Sequence, residues 1–196
     1  MAMLCNTLKS IAKEYVEDTK SSLDKLDVDS VERIVDIIWS AYLNDKQVFI
    51  MGNGGSASTA THFACDLGKG TIVEGRRRLR VICLNDNMAI ITAFSNDLGY
   101  ADVFKEQLIN LINTDDVVIA ITASGNSTNI LKAIEYAKKY SAVTVGLTGF
   151  DGGALLSMLN EEIVVSSKNY GQIEDVHLVL GHMISQCLKH RFINED

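Results

Sequence analysis

The chain has 196 residues, is 47% hydrophobic and 22% charged, carries a net charge of −7 and contains no proline. That apolar fraction at modest charge excludes a disordered chain, the lack of ~18 uninterrupted apolar residues excludes a membrane helix, and charges in the first turns argue against a secretory leader. One cytoplasmic domain is expected.

The four cysteines (Cys5, Cys65, Cys83, Cys187) form no CxxC and read as reduced thiols. The acidic balance makes nucleic acid an improbable partner. One basic run, Arg76-Arg77-Arg78 with Lys69 and Arg80, reads first as a solvated loop and second as a contact for an anionic ligand or a subunit.

Spacing predicts a first helix from Leu4 to about Leu23, with Leu8, Ile11, Tyr15 and Leu23 on its apolar side. A second helix follows, capped by Asp29 or Ser30, with Val31, Ile34, Val35, Ile38, Trp39 and Leu43 as a broad buried stripe. These helices, residues 1–45, are a natural packing or oligomer surface. Five apolar runs then follow, at 47–51, 80–84, 116–122, 142–148 and 162–166. They are continuous and β-branched rather than alternating, which predicts strands buried on both faces. Helical stretches lie between them at about 56–67, 87–95, 101–112, 127–140 and 153–158, and a long last helix spans about 171–190. Strands alternating with helices make an α/β chain with a parallel sheet covered on both faces.

Two strand-to-helix turns are rich in Gly, Ser and Asn: GNGGSAS at 52–58 and TASGNST at 122–128. Such turns offer backbone N–H groups, hydroxyls and a positive helix end, which suits a phosphate or carboxylate. Neither is a Rossmann or Walker loop. Ligands of open parallel sheets sit at this end of the strands. Asp151, in GFDGG, reads as a turn residue.

A second constellation is metal-like. His62 and Asp66 are four apart on one helix face. Glu174, Asp175, His177 and His182 share the last helix. Two histidines with two carboxylates suit zinc or a similar ion, but spacing alone does not choose the ligands.

Taken together, GNGGSASTATHFACDL, SNDLGY, ITASGNSTNILKAI, GLTGFDGG and IEDVHLVLGH resemble the sugar isomerase (SIS) domain family over nearly the whole chain, and within it the phosphoheptose isomerases. The resemblance implies a flavodoxin-like three-layer fold with a five-stranded parallel sheet, and a homotetramer with sites between subunits. It implies interconversion of sedoheptulose 7-phosphate and D-glycero-D-manno-heptose 7-phosphate through an enediol. Residue by residue, Asn53, Gly54, Gly55 and Ser56 match the first substrate loop. Asn96 and Asp97 match a substrate-contacting pair, and Thr122, Ala123, Ser124 and Ser127 the phosphate loop. His62, Asp66, Glu174 and His182 match the zinc set, with Asp66 or Glu174 as base and His182 as acid.

Asp66 stands where the family has Glu, and Glu174 where it has Gln. Gly70 and Gly171-Gln172 replace an Arg and an Asp-Arg pair. These departures touch the reactive end of the substrate more than its phosphate. They keep two alternatives open: an isomerase of another phosphosugar, and a non-catalytic member that senses phosphosugars or accompanies a replication initiator.

Overall fold

The computed structural model describes residues 7–195; the expected helix start at Leu4, and Cys5, lie outside them. Five strands, β1 (Gln47–Gly52), β2 (Arg80–Cys83), β3 (Val117–Thr122), β4 (Val143–Gly149) and β5 (Glu161–Val165), form one sheet in the order β2-β1-β3-β4-β5. Every pairing is parallel. This is the flavodoxin-like order. Among the described residues seven α-helices accompany it: α1 (Leu8–Asp24), α2 (Val28–Leu43), α3 (Gly55–Cys65), α4 (Met88–Asp97), α5 (Val103–Leu111), α6 (Thr128–Lys139) and α7 (Tyr170–Asn194).

Alternation along the strands feeds two cores. On β1, Val48 and Ile50 join Ile34 and Ile38 of α2, Phe63 of α3 and Leu180 and Ile184 of α7. Phe49 and Met51 point the other way, to Phe104 and Leu108 of α5 and Ile130 and Ile134 of α6. The strands therefore read as continuous apolar runs because both faces are covered. That holds throughout β1 and β3. It fails at the edge strands: Arg80 of β2 and Val164 of β5 are exposed, because an edge strand lacks one neighbour.

α2 belongs to the main core. Its cap lies earlier than expected: Asp27 accepts from the Asp29 N–H at 3.0 Å and from the Ser30 hydroxyl at 2.7 Å, and Asp29 and Ser30 are already helical. α1 is different. It buries only Ser22, and Leu8 and Ile11 are 87% and 50% exposed. Apart from Leu23, which is partly buried against the main core, three polar contacts hold it. Tyr15 donates to Asp175 at 2.7 Å, Gln172 to Asp18 at 3.3 Å, and Ser22 to the Ser166 carbonyl at 3.2 Å.

The arginine run pins a loop. Arg77 donates to Asp45 and to the Tyr42 carbonyl at the end of α2, Arg80 to the Asp45 carbonyl, and Arg76 to the Glu195 carbonyl. Among the described residues no helix is long and apolar enough to cross a membrane.

The chain order reverses between β1 and β3. From β1 the connection runs outward to β2, and from β3 the other way to β4 and β5. The loops leaving these two strands part at their carboxyl ends and open a crevice.

Candidate active site at the switch point

The first loop follows β1. Asn85 clamps its start, accepting from the Gly52 N–H at 3.1 Å and donating to the Gly52 carbonyl at 2.9 Å. Gly52 has no room for a side chain: a Cβ there would sit 2.4 Å from the Ser56 carbonyl oxygen. Gly54 caps α3 at φ +56°, a glycine conformation, and supplies no side-chain hydrogen bond.

The second loop follows β3. Gly125 has φ +62°, and a Cβ on it would lie 1.9 Å from the Gly152 carbonyl oxygen. Asn126 stitches the loop to the turn after β4, donating to the Ser124 carbonyl and accepting from the Ala154 N–H, both at 2.9 Å. In that turn Asp151 accepts from the Gly153 N–H, the turn role expected of it. Ser127 caps α6 without a side-chain hydrogen bond.

Helices α1, α2, α4 and α7, by contrast, are capped by the side chains of Thr7, Asp27, Asn87 and Asn169. α3, α5 and α6 have no side-chain cap. Of these, α3 and α6 open at the crevice. Apart from the Ile130 N–H, which the Asn129 amide oxygen takes at 3.0 Å, their first N–H groups meet no side-chain acceptor, the arrangement an anion finds at a helix end.

A polar bridge joins the loops. Asn53 and Asn129 exchange two amide hydrogen bonds at 2.9 Å, and Tyr100 donates to Asn53 Oδ1 at 2.6 Å. Asn129 is buried in the first turn of α6.

Beside the first loop, α3 and α7 approach closely over Gly181. A Cβ there would touch the Phe63 ring at 3.3 Å. The residue before Phe63 and the residue after Gly181 are thereby brought face to face: His62 Nε2 and His182 Nε2 are 3.0 Å apart. Asp66, one turn after His62, places Oδ2 3.4 Å from His62 Nε2 and 3.5 Å from His182 Nε2. Asp66 opens a π-helical turn, Asp66–Gly70, an irregularity frequent at functional sites.

The three ligand atoms make a compact triangle. Tetrahedral zinc with bonds of ~2.0–2.1 Å separates its ligand atoms by ~3.3 Å, so triangle and donor set both fit such an ion, with a further position left for another ligand.

Glu174 is not part of this triangle. It stands eight residues before His182, ~12 Å along the helix axis, and its carboxylate covers Gly55, where a Cβ would lie 2.3 Å from Oε2. His177 also leaves the constellation. Five residues from His182, it faces another side of α7, is fully buried and hydrogen-bonds the Thr148 carbonyl at 3.0 Å. Burial pushes its pKa down to about 4, so Nε2 donates and the ring is neutral. Its Nδ1 and the Thr148 hydroxyl are buried without partners.

Of the remaining expected residues, Gly54 and Gly55 are exposed in the first loop. Ser124 and Ser127 are half-buried, and Ser56 is buried. Thr122 and Ala123 are buried, and Ala123 packs in the core with α2 and α7. Asn96 and Asp97 end α4, exposed and hydrogen-bonded to each other at 2.9 Å. Spacing missed Tyr100, Asn129, Asn85 and Tyr15. Tyr100 and Asn129 had a signal, their places in SNDLGY and ITASGNSTNILKAI.

The SIS domain profile matches residues 13–149. Phosphoheptose isomerase of Helicobacter pylori (strain P12) is 35% identical, over 95% of this chain and 97% of that protein. A probable phosphoheptose isomerase of Thermoplasma acidophilum is also 35% identical, over 92% and 99%. Among solved structures, phosphoheptose isomerase GmhA from Neisseria gonorrhoeae superposes with a TM-score of 0.87 at 27% identity, over 94% of this chain and all of that one. The chain belongs to the SIS domain family. Within that family its relatives are named phosphoheptose isomerases, and it is an enzyme of the aldose–ketose isomerase class.

Proposed function

We propose that the chain isomerises a phosphosugar, converting sedoheptulose 7-phosphate to D-glycero-D-manno-heptose 7-phosphate through an enediolate. The observation that carries this reading is the juxtaposition of the His62–Asp66–His182 triangle with two bridged loops whose helices have no side-chain cap. The relatives named phosphoheptose isomerase supply the substrate.

The phosphate lies on the hydroxyls of Ser124 and Ser127 and the open ends of α3 and α6, with Ser56 beside them. This lets a chain of net charge −7 hold an anion without a basic patch. Glu174, outside the triangle and over the first loop, has its carboxylate free to take the proton from the carbon beside the carbonyl. His182 passes a proton between the two sugar oxygens through its other ring nitrogen, since its Nε2 faces Asp66 at 3.5 Å. His62, Asp66 and His182 would hold a zinc ion, which supplies polarisation of the carbonyl when bound.

We also infer a cytoplasmic homotetramer. α4 buries none of its residues despite the run Met88-Ala-Ile-Ile-Thr-Ala-Phe94, and Met88 is 67% exposed. An apolar helix that packs on its own chain mainly through Phe94 and leaves Met88 and Ile90 exposed fits a neighbouring copy, and that copy would bury Asn96 and Asp97 near a site. The described cysteines, Cys65, Cys83 and Cys187, are free, as a reducing compartment requires.

The test is an NMR assay of the purified protein with sedoheptulose 7-phosphate, with and without chelator. Chelator-sensitive appearance of aldose phosphate supports the reaction and the ion together. Gly70, Gly171 and Asp66 depart from the family pattern at the reactive end, and they favour a second reading, another phosphosugar. Turnover of a different ketose phosphate in a substrate panel, with none of the heptulose, would replace the first reading by the second.

A further inference from the structure

α1 buries almost nothing, yet one of its side chains reaches the helix that carries the site. The Tyr15 phenol donates to Asp175 Oδ2 at 2.7 Å. It also fills the space over Gly171, where a Cβ would lie 2.9 Å from the phenol oxygen. Gly171 and Asp175 are one helical turn apart, so the phenol spans that turn of α7. Asp175 adjoins Glu174, whose carboxylate rests on Gly55 of the first loop. Asp175 and Glu174 are neighbours on one turn of α7, so the turn that Tyr15 holds is the turn that carries Glu174 over the loop.

The bond to Asp175, with the charge of Glu174 nearby, pushes the phenol up to about 12. It therefore remains a donor across the physiological range. Folding has little need of this contact, since it is exposed and joins a helix with one buried residue.

We propose that Tyr15 is a positioning residue of the isomerase site. By holding Asp175 across the vacant position at Gly171, it keeps Glu174 over the first loop. This rests on the reading of Glu174 as the base. It also explains why Gly stands at 171: a larger residue there would displace the phenol.

The test compares the unsubstituted chain with Tyr15→Phe, Gly171→Ala and the double variant, by steady-state kinetics on the phosphosugar turned over and by thermal melting. Tyr15→Phe should lower kcat about ten- to a hundredfold with KM changed less than about twofold, since phosphate binding lies elsewhere. Its melting temperature should stay within a degree or two. Gly171→Ala should lower kcat similarly while holding or raising the melting temperature, as Gly-to-Ala changes in helices do. The double variant should be no worse than either single one, because both act on one contact. Wild-type kcat in Tyr15→Phe, or full multiplication of the two losses, would overturn the proposal. A loss of kcat matched by a collapse in melting temperature would overturn it too, by showing a structural role. An unsubstituted chain that turns over no phosphosugar would sink the isomerase reading itself and this inference with it.

Discussion

The two ends of the sheet treat polar groups in opposite ways. At the amino end they are consumed. Asp116, 2% exposed, accepts from the Gln47 N–H at 2.8 Å and the Asn113 N–H at 2.7 Å. Asn160 takes both the N–H and the hydroxyl of Thr144, at 2.8 and 2.9 Å. At the carboxyl end they are held ready: two helices open without side-chain caps, and three ligand atoms gather within 3.5 Å. The first arrangement is what buried backbone demands. The second forgoes local stability for a site, which in open parallel sheets belongs at this end.

The strongest challenge to that contrast is a pair of substitutions. His182→Ala should lower kcat by about 10²–10⁴-fold with little change in melting temperature, because His182 is 45% exposed. Full activity in this variant would remove the site from the carboxyl end. Asp116→Ala should do the reverse, costing about 3 kcal/mol in urea unfolding by orphaning two backbone donors, with kcat per folded molecule unchanged.

His177 carries the contrast onto a single helix, five residues from His182. Above pH 6.5 both folded and unfolded chains hold its ring neutral. As pH falls below that, the unfolded chain takes up a proton that the native chain refuses until about pH 4. Stability should therefore drop by about 3 kcal/mol between pH 6.5 and 4 from this group alone. An NMR titration placing the His177 ring near its ordinary value would remove that share.

The smallest effects compare two caps. Asn169→Ala removes an acceptor used by the Gly171 and Gln172 N–H groups at 2.9 and 3.4 Å, and should cost about 1 kcal/mol with KM unchanged. Ser127→Ala removes a hydroxyl that caps nothing, and should leave the melting temperature alone while raising KM several-fold, roughly 1 kcal/mol of lost substrate binding. Equal melting losses in both would place a hidden cap at Ser127.

What is local in this protein was legible. Continuous β-branched runs mark strands buried on both faces whatever their neighbours are, and Gly-rich turns after them mark the crevice, because only such turns let a helix open on a ligand. His62 and Asp66 were readable as partners because four residues on a helix return to the same face. The resemblance to the SIS family then supplied His182.

Spacing could not choose among Glu174, Asp175, His177 and His182. That choice depends on how α7 meets α3 over Gly181 and Phe63, residues more than a hundred positions apart in the chain. The same approach turns His182 toward His62, sends His177 under the sheet to Thr148 and leaves Glu174 against Gly55. Nor did the periodicity of α1 reveal its role. It marked Tyr15 as one more apolar position, whereas the fold left that face uncovered and gave the phenol a carboxylate. Secondary structure and the place of the site follow from short-range sequence pattern; which side chains meet there was decided by helix packing, since a contact between distant segments leaves no period in either one.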